Sequence, residues 1–349
     1  MSLAHFKEAI RDAAARRAPL RLRGGGSKDF FGNEPRGALL DTRGHTGIVD
    51  YEAAELVVTA RCGTPLAELE RVLDERGQCL PFEPPRFGAA TFGGCIAAGL
   101  SGPRRMSAGA VRDFVLGVKL IDGRARELDF GGRVMKNVAG YDVSRLATGS
   151  LGTLGLIAEA SVKVLPKAEH ETTLGFALGE AQAIDAMNRW AAQPLPLSAA
   201  AWQGGTLRVR LSGAGPAVRA AASRLGGEAL GDAAAFWLGM REHTDCFFDG
   251  PEPLWRLAVP STTAPLGLAG RQLIEWGGAQ RWVKSAAPAQ EIRAAAKRLG
   301  GHATLFRAAD KSAGAFTPLD DVLLRLHRAL KAEFDPAGIL NPGRLYAEL

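Results

Sequence analysis

The sequence predicts an α+β protein of two domains, with a C-terminal segment that follows the second domain. Three observations predict it. Short strand candidates and glycine-rich loops crowd residues 1–166, strands alternate with helices over 167–317, and a helix with a turn-rich tail closes 318–349. A length of 349 residues suits two domains, and a chain of that size buries enough apolar surface to need no disulfide or metal staple.

Residues 4–17 place Phe6, Ala9, Ile10 and Ala13 on one face and charges on the other, the pattern of an amphipathic helix. Strand candidates follow at Leu20–Arg23, Ala38–Asp41, Gly47–Tyr51 and Leu56–Ala60. Thr64 is a candidate cap for a helix beginning at Pro65 with Glu68 in its first turn. Phe114–Ile121 and Leu156–Leu165 have the density of buried strands, and Asp122-Gly123 signals a hairpin turn. Beyond Pro166 the pattern is strand Thr172–Phe176, helix Glu180–Ala192, strand Leu207–Leu211 and helix Pro216–Leu225, with proline breaks at 194–196, 251–253 and 260–265. Asp320–Phe334 reads as the final helix, ended by DPAGILNPGRL.

Hydrophobic residues make up 46% and charged residues 23%, an ordinary globular balance. The N-terminal stretch carries Glu8 and Asp12 and has no continuous apolar core, so it does not read as a secretory signal. No run approaches the roughly 20 apolar residues of a membrane-spanning helix. The expectation is a cytoplasmic protein, at most peripheral at the inner face of a membrane. Cys62, Cys79, Cys95 and Cys246 are dispersed, which argues against a zinc ribbon or an iron–sulfur cluster in this chain. The net charge of +6 is spread among acidic residues, without the aromatic-interleaved basic stripe of a nucleic-acid binder.

Three segments carry candidate chemistry. Arg23-Gly24-Gly25-Gly26-Ser27-Lys28 directly follows a strand; it is either a tight turn or an anion-binding concavity of consecutive N–H groups, with Ser27 and Lys28 as added donors. In ATFGGCIAAGLSG, Thr91 is a candidate cap for a short helix of small residues; either its N-terminus, with Gly93 and Gly94, meets a pyrophosphate, or the small residues serve close packing. The third comprises Lys136-Asn137-Val138-Ala139-Gly140-Tyr141-Asp142 and then Gly149-Ser150-Leu151-Gly152-Thr153-Leu154-Gly155-Leu156-Ile157, which runs into a buried strand.

In this order the segments resemble the FAD domain of the vanillyl-alcohol oxidase/p-cresol methylhydroxylase flavoprotein superfamily. FEPPRFGAATFGGCIAAGLSGPRR, RVMKNVAGYDVSRL and GGHATLFRA are similar to the smaller FAD-binding subunit of bacterial glycolate oxidase. The resemblance implies a two-part FAD-binding domain over residues 1–166, an α+β cap over 167–317, and a segment 318–349 that returns to the flavin. It also implies that Gly24, Gly25, Gly26, Ser27 and Lys28 meet the FAD pyrophosphate and that Thr91, Gly93 and Gly94 complete the cradle. Gly149, Ser150, Gly152, Thr153, Gly155 and Ile157 would border the adenosine and flavin parts, and Asn341 would approach from the C-terminal end. Many members attach the flavin through a histidine in the first loop. That loop here holds no His or Cys, so FAD is expected to be non-covalent.

Relatives that oxidise 2-hydroxy acids commonly add an arginine and a histidine-rich metal site. The six histidines here share no ligand spacing, so no metal site is expected. His302 reads as a packed residue before a strand, and His243 with Asp245 as a surface turn rather than a general base; no catalytic residue is assigned. The expected function is that of an FAD subunit in a multi-subunit glycolate dehydrogenase, relaying electrons from a small 2-hydroxy acid to an iron–sulfur subunit beside a homologous larger flavin subunit. The alternatives are a self-sufficient flavin oxidase of another small acid or alcohol, and a scaffold with a degenerate FAD site.

Overall fold

A computed structural model describes residues 2–132 and 141–349, so Lys136–Gly140 of the third segment lie outside the described residues. Helix Leu3–Arg16 opens the chain; the Ser2 side chain accepts the His5 N–H, and Phe6, Ile10 and Ala13 face inward. β1 (Leu20–Arg23) and β2 (Ala38–Asp41) form a parallel pair. β3 (Ile48–Glu52), β4 (Val57–Arg61), β5 (Gln78–Cys79), β6 (Val115–Ile121), β7 (Glu127–Gly131), β8 (Leu156–Lys163) and β9 (Leu165–Pro166) complete the first half. Five of these make an antiparallel sheet in the order β3-β4-β8-β6-β7, and β5 pairs with β9. One face of that sheet packs on helices Leu66–Asp74 and Phe92–Ala98 through Leu66, Leu69, Leu73, Phe92 and Ile96. Helix Leu3–Arg16 and the tail residues Ile339 and Leu340 share a second core with Leu20, Leu40, Ile121 and Leu156.

The second half is one antiparallel sheet of eight strands: β10 (His170–Ala177), β11 (Leu197–Gln203), β12 (Thr206–Gly213), β13 (Glu228–Ala229), β14 (Leu254–Ala258), β15 (Arg271–Glu275), β16 (Gln280–Lys284) and β17 (His302–Arg307), in the order β13-β10-β12-β11-β15-β16-β14-β17. Helices Glu180–Ala191 and Gly215–Leu225 contribute Ile184, Met187 and Val218 to one core, and Ala289–Arg298 contributes Ile292 to another. A further core joins the two halves: Phe31, Ala98, Leu100 and Leu151 of the first meet Trp237, Met240, Trp282 and Phe306 of the second.

Several local expectations change. Thr64 does not cap the next helix; Pro65 holds that position, and Thr64 Oγ1 accepts the Gly47 N–H at 3.0 Å. Asp122-Gly123 is not a two-residue hairpin. The Asp122 carboxylate accepts the N–H groups of Arg124 and Arg126, and Ala125 is the residue at positive φ. Gly123 is needed instead because a Cβ there would overlap the side chain of Asp335. The second half holds strands that periodicity did not reveal, among them the alanine-rich β11 and the wholly buried β16.

Candidate functional site

β1 ends at Arg23, and the chain leaves the parallel pair through Gly24–Lys28. Among the described residues, no backbone N–H from Gly24 to Lys28 has an acceptor within the chain. Consecutive unspent donors at a strand end form a concavity suited to an anion. A Cβ on Gly24 would overlap Thr91 Oγ1, and one on Gly25 would land on the Ala89 carbonyl oxygen. The first and second glycine loops therefore touch, and both glycines are required by close approach. Gly26 sits at φ 73 beneath the Arg23 guanidinium.

The helix expected after Thr91 is present at Phe92–Ala98, and Thr91 Oγ1 accepts the Gly94 N–H at 3.3 Å. Its other early donors are also spent, because Phe92 N–H bonds the Thr64 carbonyl and Gly93 N–H that of Cys62, both at 2.8 Å. The helix start thus offers the cleft a wall without side chains rather than free donors, a correction to the reason given for its glycines. The anion donors come from the first loop.

The floor is the segment after Thr148. The Gly149 and Leu151 N–H groups bond the carbonyls of Ile96 and Ala97, which ties this turn to the end of the small-residue helix. Asn341, at φ 42, closes the far side: its Oδ1 accepts the Leu22 N–H at 2.8 Å and its Nδ2 donates to the Leu151 carbonyl at 2.6 Å. Gly24, Gly25, Gly26, Ser27, Lys28, Thr91, Gly94 and Asn341 line the open cleft, and Gly93, Gly152, Gly155 and Ile157 line an adjoining part that shares its Gly24, Gly94 and Asn341 wall. Gly149, Ser150 and Thr153 do not line it. They build the turn beneath, where Thr153 Oγ1 donates to the Ser150 carbonyl at 2.8 Å.

Sequence reasoning missed the basic rim. Arg21 and Arg23 alternate along β1 and both reach the Asp29 carboxylate, at 2.6 and 2.7 Å. Arg344 donates to the Asp29 carbonyl at 2.9 Å. Three guanidinium groups and Lys28 therefore line the cleft beside one carboxylate, leaving positive charge for a diphosphate. The alternation in Leu20-Arg21-Leu22-Arg23 was the available signal, since a period of two puts both arginines on one face.

Residues 2–131 match the FAD binding domain family, and residues 310–345 match the C-terminal domain of FAD linked oxidases. The glycolate oxidase subunit GlcE of Escherichia coli (strain K12) is 47% identical over 343 residues, covering 98% of this chain and 97% of that protein. The chain belongs to the GlcE family of glycolate oxidase subunits. It is an FAD-dependent oxidoreductase subunit. The glycolate oxidase subunit GlcD of Bacillus subtilis (strain 168) is 33% identical over 160 residues, covering 45% of this chain and 34% of that protein. Two crystal forms of alkyldihydroxyacetonephosphate synthase superpose with a TM-score of 0.66 at 16% identity, covering 96% and 97% of this chain and 73% and 75% of theirs. That likeness shows the fold, which is of the vanillyl-alcohol oxidase type.

In this GlcE-family chain the residues fit FAD: an unspent row of N–H donors, a surplus of fixed cations, and a glycine wall that a Cβ would close. A second cavity lies between the halves, bordered by Phe87, Ser101, His243, Arg256, Glu275 and Trp282. His243 does sit in the turn that ends helix Ala233–Glu242, at φ 54 and half-buried, but its ring faces inward rather than to the surface. Its ring stacks on Phe248 at 3.9 Å and meets Phe87, Trp282 and Phe306, and burial first, then Arg307 and Arg256, hold it well below the usual histidine range. Asp245 does not pair with it; its carboxylate caps Phe247 N–H. Glu275 accepts from Trp282 Nε1 at 2.6 Å and Gln280 Nε2 at 2.9 Å, and burial pushes its pKa up to about 7. His302 begins β17 and is exposed. Among the described residues, no group of three or more His, Cys, Asp or Glu is placed to hold a metal ion.

Proposed function

We propose that this chain is the FAD-carrying relay subunit of a multi-subunit glycolate dehydrogenase, passing electrons from oxidation of a small 2-hydroxy acid to an iron–sulfur partner beside a homologous, larger flavin subunit. The observation that carries this reading is the end-to-end similarity to GlcE, which is named as a subunit of glycolate oxidase. GlcD, another named subunit, is similar over part of the chain, which supports a homologous flavin partner. Bound FAD supplies two-electron acceptance. The chain's own residues hold it: Gly24–Lys28 and the arginine rim would take the diphosphate, while Gly93, Gly94, Gly152, Gly155 and Ile157 would form the walls. In this reading residues 1–166 with 318–349 make the FAD-binding part and 167–317 the cap. The dispersed cysteines, two of them buried with thiols raised to about 12, support an external electron acceptor. The same reading places the protein in the cytoplasm or at the inner membrane face. Among the described residues no helix is long and apolar enough to cross a membrane.

One observation favours a second reading, in which the chain oxidises the acid itself. Arg256 borders the cavity between the halves, lies over the rings of Phe31 and Phe306 at 5.7 and 5.6 Å, and is lowered by burial to about 10. Burial and the like charge of Arg105 act on it and no acidic group among the described residues opposes them, so a substrate carboxylate would complete it. Absorbance spectra of the flavin-loaded chain before and after glycolate, alone and with its co-expressed partners, separate the two. The relay reading expects bleaching only with the partners; bleaching of the isolated chain establishes direct oxidation.

A further inference from the structure

Glu242 is the last residue of helix Ala233–Glu242, in the second half of the chain, yet one oxygen of its carboxylate is committed to the first. Oε2 accepts the N–H groups of Arg86 at 3.0 Å and Phe87 at 2.9 Å, and Oε1 accepts from Arg241 Nε at 2.8 Å. The bend it holds is unusual backbone: Phe87 lies at φ 51 and Gly88 at φ 102. A non-glycine residue in the left-handed region persists only where its surroundings hold it there. Immediately after the bend come Ala89 and Thr91, the atoms against which Gly25 and Gly24 pack. Lys28 rests on the same bend, with Nζ donating to the Arg86 carbonyl at 3.3 Å and lying 5.6 Å from the centre of the Phe87 ring. The Arg86 side chain is paired with Glu70, which Arg241 also approaches at 3.7 Å.

We propose that Glu242 is a positioning residue of the cofactor cleft: it fixes the Arg86–Phe87 bend that seats Lys28 and backs the first glycine loop, so diphosphate binding depends on the docking of helix Ala233–Glu242. The inference rests on the FAD reading of the cleft. A carboxylate is the suitable acceptor because one oxygen serves two adjacent N–H groups while the other engages Arg241. Burial draws the Lys28 ammonium below its ordinary range, and the Cys95 and Glu242 side chains act against that, so the carboxylate also supports the cation it helps to place.

The test is FAD affinity of the full chain by flavin fluorescence quenching, with ADP as a competing diphosphate that lacks the flavin ring. Glu242→Gln keeps an oxygen for both N–H groups but loses the charge and the acceptor for Arg241, and is expected to weaken binding by less than Glu242→Ala does. Glu242→Ala is expected to weaken FAD and ADP alike by tenfold or more, at a temperature well below the melting transition of the ligand-free variant. A merely structural role would lower that transition without moving the affinity. Parent-like affinity in Glu242→Ala, or an equal loss in Glu242→Gln, overturns the proposal. If the parent takes up no FAD while folded, the cofactor reading fails and the inference falls with it.

Discussion

Lys331 and Asp335 lie one turn apart at the end of the last helix and form a buried 2.7 Å ion pair that fastens the C-terminal tail to the floor of the cofactor cleft. Lys331 Nζ also donates to the Thr153 and Leu340 carbonyls at 2.8 and 2.7 Å. Asp335 in turn accepts the N–H groups of Ile339 and Leu340. All three ammonium hydrogens are thus used, and the tail is held where Asn341 bridges Leu22 to Leu151.

Lys331→Met removes the cation and leaves Asp335 buried without it. Breaking one side of a buried pair costs about 3–5 kcal/mol. The expected outcome is a matching loss of stability in chemical denaturation, with weaker FAD retention because Asn341 loses its anchor. Lys331→Arg, too large for the two carbonyls and one carboxylate that converge on a single ammonium, is not expected to rescue it. Parent-like stability in Lys331→Met would remove the clasp from this account.

The first half was legible because its elements are local. Helix Leu3–Arg16, β1, β2, β4 and the Asp320-capped final helix announce themselves in periodicity and capping residues. The second half was not. β11 is Leu-Ser-Ala-Ala-Ala-Trp-Gln, whose alanines favour helix, and it is a strand because β12 and β15 pair with it on both sides. β16 carries Arg281 and Lys284 in full burial, where they are paired by groups far away in the chain, such as Glu180 and Glu252. The glycine loops of the site were legible for the same reason as the strands beside them. The basic rim depends on Arg344 folding back over more than 300 residues to Asp29, which no local pattern reports.

Gly25 and Gly94 separate two kinds of glycine in the cleft. A Cβ at Gly25 would occupy the position of the Ala89 carbonyl, whereas one at Gly94 would meet only Thr91 Oγ1 at 3.1 Å. Gly25→Ala is therefore expected to push the two loops apart, lowering both thermal stability and flavin content. Gly94→Ala is expected to fold normally and lose mainly FAD affinity, because the methyl group narrows the cleft. Equal flavin stoichiometry in both variants and the parent would count against the assignment of the cleft.

Glu275 makes stability depend on pH in a stated direction. Its folded pKa of about 7 lies above the ordinary value of 4.5, so the folded state holds the proton more tightly than the unfolded chain. Its contribution is fully present below about 4.5 and is lost as pH rises through about 7. Glu275→Gln keeps an acceptor for Trp282 Nε1 and Gln280 Nε2 without the titration. Melting temperatures from pH 5 to 8 should decline less steeply in the variant than in the parent. Parallel curves would show that Glu275 does not titrate in this interval.

The last prediction concerns attachment of the flavin. A covalent bond to the flavin needs a nucleophilic side chain at the cleft wall, and among the groups lining it the candidates are few. The loop Gly24–Lys28 offers Ser27 and Lys28, and the Lys28 ammonium, which donates to the Arg86 carbonyl, is assigned to the diphosphate rather than to the flavin ring. Cys62 lines the adjoining part of the cleft, but burial raises its thiol to about 12, so the thiolate that would attack is scarce at neutral pH. Cys95 lies on the helix beside the cleft with the same elevated value. Binding is then left to charge, N–H donors and shape, whose arrangement is lost on denaturation. Acid precipitation of the flavin-loaded protein should leave FAD in the supernatant and a colourless pellet; flavin absorbance that stays with the pellet through washing in denaturant would show a covalent link and reopen the search for the residue that carries it.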